Sequence, residues 1–163
     1  MPPTATLIRE YKAEDLRQVE DCIVELQDFC KQIDALSANG RTVARKYLQH
    51  LLAQCAETDG RIFVAEHDNK VIGMVCVFGK IQSNAIDEEA YDYAYVSDLV
   101  VLAANRDRGL GRMLLRRAEN YARSQGARLL KIAVHAPNKV ARDFYISDGF
   151  QERIVMLHKE LLT

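Results

Sequence analysis

The stretch that most limits how this chain can fold runs from Tyr93 to Ser124. It opens as an apolar run around Leu99, Val100 and Val101, which reads as a strand over 93–102. It then crosses a turn with glycines at 109 and 111. Beyond the turn, Leu110, Met113, Leu114, Ala118, Tyr121 and Ala122 recur at helical spacing, predicting a helix over 109–124. A strand that feeds an amphipathic helix through so short a turn requires layers, because the helix must bury its apolar stripe against a sheet.

The remaining elements fit that layering. A strand is expected over 4–11, with Leu7 and Ile8 as its apolar centre. A helix follows over 14–33, carried by Leu16, Val19, Ile23, Leu26 and Phe29. After the turn signal S-A-N-G-R at 37–41 comes a second helix over 42–57, with Val43, Tyr47, Leu48, Leu51 and Leu52 on its apolar side. Strands over 61–66 and 71–79 are joined by the polar tetrapeptide H-D-N-K, a tight hairpin. The acidic segment 81–92 reads as a loop. A strand over 127–134, a short helix over 138–147 and a final strand over 150–161 complete the order βααβββαβαβ.

This is the α/β (α+β) class: a mixed, mostly antiparallel sheet of six to seven strands with helices on both faces. The strands at 127–134 and 150–161 flank a helix and are expected as a right-handed parallel crossover, the earlier hairpins as antiparallel. A length of 163 residues without repeat or linker predicts a single domain over 1–163.

Composition removes several classes. Hydrophobic residues at 48% and charged residues at 28% are those of a globular protein, not a disordered one. No apolar run reaches membrane-spanning length, and the opening M-P-P-T-A-T has no signal-peptide character. The four cysteines, at 22, 30, 55 and 76, form no C-x-x-C and lack a histidine at metal-ligand spacing, so no metal is expected. They read as buried free thiols, which points to a cytoplasmic setting.

The net charge of −1 conceals an uneven distribution. Segment 105–131 carries a net +6 and the rest of the chain −7. Beside Gly109 and Gly111 the arginines suggest an anion site, in which helix-start amides, helix dipole and basic side chains converge on a pyrophosphate. A P-loop needs G-x-x-x-x-G-K-[ST], which is absent, and a dinucleotide fingerprint needs a third glycine where Leu114 stands. The pattern that fits is R-x-x-G-x-G, formed by Arg106, Gly109 and Gly111.

Around that turn the sequence resembles the GNAT acetyltransferase superfamily, which moves an acetyl group from acetyl-CoA to an amine. Three parts carry the resemblance: the strand ending in Asp98, Leu99, Val100 and Val101; R-D-R-G-L-G at 106–111; and Asn138-x-x-Ala141-x-x-Phe144-Tyr145-x-x-x-Gly149-Phe150. Together they span about residues 93–152. Before Arg106 this chain has Leu-Ala-Ala-Asn where the family often has a proline, with the span unchanged.

The resemblance implies acetyl-CoA as cofactor. Its pantetheine arm would lie along Leu99, Val100 and Val101, and its pyrophosphate on the amides of Arg106, Asp107, Arg108, Gly109, Leu110, Gly111 and Arg112. Arg108, Arg112 or Arg116 would reach the ribose phosphate. Asn138 matches a position that contacts the cofactor arm. Tyr145 matches the general acid that protonates the leaving thiolate. A backbone N–H, that of Val101, would polarise the carbonyl.

An alkylamine must lose a proton before it attacks. Asp98 is the first base candidate, directly or through water, and His135 the second. The plainer role for Asp98 is to order a loop. The resemblance implies that the acceptor site falls on the first two helices and the 81–92 loop, with Phe29, Asp92, Tyr93, Asp98 and His135 as substrate residues. Acid beside aromatic suits a small cationic amine, such as a polyamine or aminosugar. A peptide N-terminus or amino acid is the other acceptor class. A non-catalytic acyl-CoA sensor and a nucleic-acid binder are the rivals; Tyr145 speaks against the first, and the burial expected for Tyr121 against the second. No nucleic-acid or membrane partner is expected, and a homodimer is left open.

Overall fold

The computed structural model describes residues 5–162. Thr4, expected in the first strand, and the opening M-P-P lie outside them. The described residues divide into two units, one ending at Ala133 and one beginning at Val134.

The first unit runs β1 (Leu7–Glu10), α1 (Leu16–Ile33), α2 (Gly40–Glu57), β2 (Arg61–His67), β3 (Lys70–Gln82), β4 (Asp92–Val101), α3 (Leu110–Ser124) and β5 (Leu129–Ile132). Its sheet has five strands in the order β1-β2-β3-β4-β5. Three neighbouring pairs are antiparallel, and β4 with β5 is parallel. The parallel crossover is thus β4-α3-β5, not the pair expected at 127–134 and 150–161. Asp68 and Asn69, at φ 49° and 59°, make the β2–β3 hairpin turn. Two positive φ values at the centre of a two-residue loop match the right-handed twist of the strands it joins.

Alternation along β2 and β3 divides the core into two layers. Ile62, Val64, Met74 and Cys76 pack with Val19, Cys22, Ile23, Ala44, Leu48 and Leu51 of α1 and α2. On the opposite face, α3 packs on β3, β4 and β2. There the Phe63 ring meets Tyr121 edge-on at 5.7 Å. Gly73 allows α3 to come close, since a Cβ there would lie 2.8 Å from the Val100 carbonyl and 3.3 Å from Leu114. Helices on both faces are as expected. Cys22, Cys55 and Cys76 are buried, and Cys30 is half-buried.

Arg9 ties β1 down. Its two Nη atoms donate to Asp15 at 2.7 and 2.9 Å, and its Nε donates to Glu66 of β2 at 2.6 Å. Asp15 also accepts from the Lys12 backbone N–H at 2.8 Å, which shapes the turn into α1.

The second unit holds α4 (Lys139–Ser147). Asn138 caps it, its side-chain oxygen accepting from the Ala141 N–H at 3.1 Å. Tyr145 is buried between Phe144 and Phe150, with ring centroids at 5.1 and 5.6 Å. Residues 151–162 form no strand. The expected final strand and the six- to seven-strand count are corrected on this point. The strand-forming sequence is present, but a strand is defined by a ladder with a neighbour, and strand preference alone does not supply one.

Candidate active site

A one-residue irregularity in β4 sets the geometry of the site. Against β3, Cys76 is opposite Asp98 while Val77 is opposite Val96, so Ser97 has no opposite number and forms a bulge. Residues opposite each other share a face. Cys76 belongs to the α1/α2 layer, so Asp98 does too. A regular ladder from Val96 onward would have put Asp98 on the face of α3.

On the α1/α2 face Asp98 meets Tyr47 of α2. The Tyr47 hydroxyl donates to Asp98 Oδ1 at 2.9 Å, with Oδ2 at 3.2 Å. Asp98 is 6% exposed, one of two buried charged residues among those described. Burial pushes its carboxyl above the usual carboxylate range, and hydrogen bonds, that of Tyr47 included, and nearby His50 offset this only in part. The Tyr47 hydroxyl is pushed well above its ordinary value by the same burial and by the charge of Asp98. A buried carboxylate that holds its proton more tightly than usual, supported by one phenol, is suited to accept a proton near neutral pH.

The β4–β5 ladder ends at Val96 opposite Ile132. Leu99, Val100 and Val101 lie beyond it. Leu99 and Val101 are half-buried, and Val100 joins the core.

The turn after β4 is held by Arg106. Its Nε donates to the Val101 carbonyl at 2.9 Å, and its Nη2 to Glu25 of α1 at 2.9 Å. Glu25 also accepts from the Ala103 N–H at 2.7 Å. The Arg106 side chain therefore braces the turn against α1. Asp107 (φ 61°) and Gly109 (φ 74°) both adopt left-handed backbone, and Gly109 opens α3 with no side-chain cap. Left-handed residues interleaved in such a turn aim amides into a shared concavity. The first bond of the helix runs from the Met113 N–H to the Gly109 carbonyl at 3.1 Å, so the amides before it, those of Leu110, Gly111 and Arg112, lead out of the helix start. Arg108, Arg112 and Arg116 are exposed beside them. This donor set, amides plus guanidinium groups with no nearby acid on the same turn except Asp107, fits a diphosphate. Other arginines of the basic segment are structural: Arg117 lies over the Phe63 ring at 4.2 Å.

The expected substrate residues are scattered. Phe29 is half-buried on α1. Asp92 opens β4 and accepts from the Arg128 N–H at 2.8 Å through its carbonyl. The Tyr93 ring carries the Lys131 ammonium at 3.8 Å, and the same ammonium stands 4.9 Å from the Tyr91 ring. These aromatic faces already hold a cation of the chain itself. His135 is exposed and belongs to the second unit, as do Asn138 and Tyr145. Tyr47 was missed as a site residue. Its signal was a phenol within an otherwise aliphatic stripe, since a buried tyrosine hydroxyl needs a partner.

The sheet is thus covered on both faces, β4 outruns its parallel neighbour, and the amides of the α3 start face outward just after the end of β4. A model of the acetyltransferase (GNAT) family matches residues 23–150. The chain belongs to that family, and it is an acyltransferase. The uncharacterized N-acetyltransferase YhfO of Bacillus subtilis is 25% identical over 93% of both chains. The uncharacterized N-acetyltransferase MJ1207 of Methanocaldococcus jannaschii is 33% identical over 69% of this chain, a match that spans about half (47%) of the relative's own length. Among solved structures, the BH1408 protein of Bacillus halodurans superposes with a TM-score of 0.83 at 20% identity, covering 96% of this chain and 99% of that one. An aminoglycoside N-acetyltransferase, AAC(6')-Iy in complex with CoA, has a TM-score of 0.73 at 16% identity and 99% coverage of both. The family uses acetyl-CoA. No helix among the described residues is long and apolar enough to cross a membrane.

Proposed function

We propose that the protein transfers an acetyl group from acetyl-CoA to the primary amine of a small cationic acceptor, by direct attack while both are bound. The observation that carries this reading is the buried, tyrosine-supported Asp98 at the point where β4 leaves its ladder with β5. The bound cofactor supplies an acetyl thioester. The amides of the α3 start, with Arg108, Arg112 and Arg116 beside them, hold its diphosphate, and the backbone of Leu99, Val100 and Val101 receives the arm. Asp98 accepts a proton from the acceptor's ammonium, directly or through water, leaving a neutral nucleophile. The Val101 N–H polarises the carbonyl. Tyr145 returns a proton to the departing sulfur. The acidic loop over 83–91, between β3 and β4, and the name of the CoA-bound neighbour, an aminoglycoside N-acetyltransferase, support a cationic acceptor.

A second acceptor class is favoured by one observation. The Lys131 ammonium occupies the faces of Tyr91 and Tyr93, where a cationic acceptor was expected to sit. A half-buried ammonium in that place suits an acceptor that carries a carboxylate, as an amino acid or peptide does.

The test is thiol release from acetyl-CoA over a panel of polyamines, aminoglycosides, amino acids and short peptides. Release with polyamines or aminoglycosides supports the first reading, and release with amino acids or peptides alone supports the second. Acetyl-CoA binding without release from any amine moves weight to a sensor.

A further inference from the structure

We propose that Cys55 and Cys76 are an oxidative modification site: a hydroperoxide joins them as a disulfide, and the closing of that bond disturbs the contact between Tyr47 and Asp98. The Cys55 Sγ of α2 lies 3.7 Å from the Cys76 Sγ of β3, and both thiols are free. Their approach depends on Gly60. A Cβ there would stand 2.7 Å from the Val77 carbonyl and 3.1 Å from the Cys55 Sγ, so a larger residue would hold the end of α2 off β3.

The two thiols are unlike. Cys55 lies in the last turn of α2 and is 8% exposed, whereas Cys76 is 0% exposed within the core. A small hydroperoxide therefore meets Cys55 first. The hydrogen bond from the Cys76 thiol outweighs burial and, with the Arg61 guanidinium, holds the Cys55 thiol below its ordinary value. The same bond and burial hold the Cys76 thiol well above its own. The thiolate is the reacting form, so Cys55 is the nucleophile and Cys76 the thiol that follows. The other two cysteines compete poorly. Burial pushes the Cys22 thiol up to about 12, and burial with the charge of Asp98 raises that of Cys30.

The reaction takes two steps. The Cys55 thiolate attacks one peroxide oxygen, the O–O bond breaks, and the departing oxygen takes a proton and leaves as water or an alcohol. Cys55 is now a sulfenic acid, oxidised by two electrons, and the peroxide is reduced by two. The Cys76 sulfur then attacks the Cys55 sulfur, the S–O bond breaks, and hydroxide leaves as water with the Cys76 proton.

The disulfide reaches the active site through the elements that carry it. Tyr47 and Cys55 share α2, and Cys76 stands opposite Asp98 in the β3–β4 ladder. The thiol pair and the Tyr47–Asp98 hydrogen bond are thus two links between one helix and one sheet. A disulfide brings its sulfurs to about 2.05 Å, so the first link shortens and draws the end of α2 toward β3. The phenol that supports Asp98 moves with its helix. This effect on turnover rests on Asp98 as the base; the disulfide itself does not.

The test treats the full chain with hydrogen peroxide, alkylates the remaining thiols and maps them by mass spectrometry. The expected product has lost two hydrogen atoms, carries a Cys55–Cys76 cross-link and keeps the thiols of Cys22 and Cys30. With the amine that the panel identifies, its kcat/KM is expected to fall about tenfold or more and to recover with dithiothreitol. Cys55→Ser, which cannot form the cross-link, is expected to start with full activity and to keep it through the same treatment. Four free thiols after treatment overturn the proposal, as does a sulfinic acid on Cys55 with Cys76 still a thiol. Unchanged turnover in the cross-linked protein, or an equal loss in Cys55→Ser, overturns the link to Tyr47 and Asp98. The mapping needs neither an acceptor nor a variant, so it decides the modification site even where Asp98 is not the base or Cys55→Ser does not fold.

Discussion

Tyr47 and Asp98 lie 51 residues apart in sequence, and the Tyr47 hydroxyl is 2.9 Å from one Asp98 oxygen and 3.2 Å from the other. One phenol thus supports a carboxylate that the fold has otherwise withdrawn from water. Removing either partner has different consequences for chemistry and for stability.

Tyr47→Phe takes a donor from the charged form of Asp98, so the carboxyl holds its proton to still higher pH. The acid limb of the kcat/KM profile is expected to move upward in pH while the high-pH plateau falls little. Unfolding in urea at neutral pH should show a loss of about 1–2 kcal/mol. An unmoved acid limb would mean that Asp98 is not the base.

Asp98→Asn is expected to lower kcat/KM by about 10²–10⁴-fold with acetyl-CoA binding unchanged. Its effect on stability runs the other way. Burial raises the Asp98 pKa in the folded state, so the stability linked to its proton is complete below the unfolded pKa of about 3.9 and is lost as pH rises through the folded one. The asparagine variant does not titrate there. Its melting temperature relative to wild type should therefore climb as pH rises, and a gap that is constant with pH would contradict this account.

Tyr145→Phe keeps the ring contacts with Phe144 and Phe150 and removes only the hydroxyl. A fall in kcat of about 10²-fold at unchanged KM, with stability within about 1 kcal/mol, is the expected signature of a lost general acid. Full activity in this variant would refute the role given to the tyrosine.

Gly109→Ala meets no steric neighbour, so its cost is conformational. At φ 74° an alanine pays about 1 kcal/mol, and the α3 start should lose affinity for acetyl-CoA. Asp107→Gly, at φ 61°, provides the contrast: relief of the left-handed strain offsets glycine's added chain entropy, and stability should hardly change. Calorimetric titration with CoA and urea melts on both variants check the pair.

Arg9→Met removes the partner that holds the Asp15 carboxyl below the usual carboxylate range. That stability is present above the unfolded pKa of about 3.9 and disappears as pH falls through the lower folded value. The variant should lose about 2 kcal/mol at pH 7 and progressively less in acid. A cost that does not vary with pH would assign the effect to packing alone.

Much of this was legible in the sequence because it is local. The stripe Leu16, Val19, Ile23 and Leu26 gave α1, and the polar H-D-N-K gave the hairpin that Asp68 and Asn69 close. The R-x-x-G-x-G turn was legible because left-handed backbone and an uncapped helix start select glycine. What escaped depends on partners distant in the chain. The role of Tyr47 exists only because Asp98 arrives on its face. The sequence places Arg106 at the head of the R-x-x-G-x-G turn, but the bracing role of its side chain depends on where α1 and Glu25 lie. The strand expected at 150–161 had the composition of a strand and lacked the neighbour that would make it one.

Ser97 leaves β4 intolerant of added length. Substitutions along this strand can be absorbed one side chain at a time, as in any sheet. Inserting one residue between Ser97 and Asp98, with the bulge retained, would act as a frameshift in space: Asp98 and Val100 would trade sides with Leu99 and Val101, burying a carboxylate against α3 and turning the leucine toward Tyr47. Losing Ser97 would not, because Asp98 would then follow Val96 directly and still stand opposite Cys76. Descendants that keep the chemistry can therefore straighten this strand but not lengthen it.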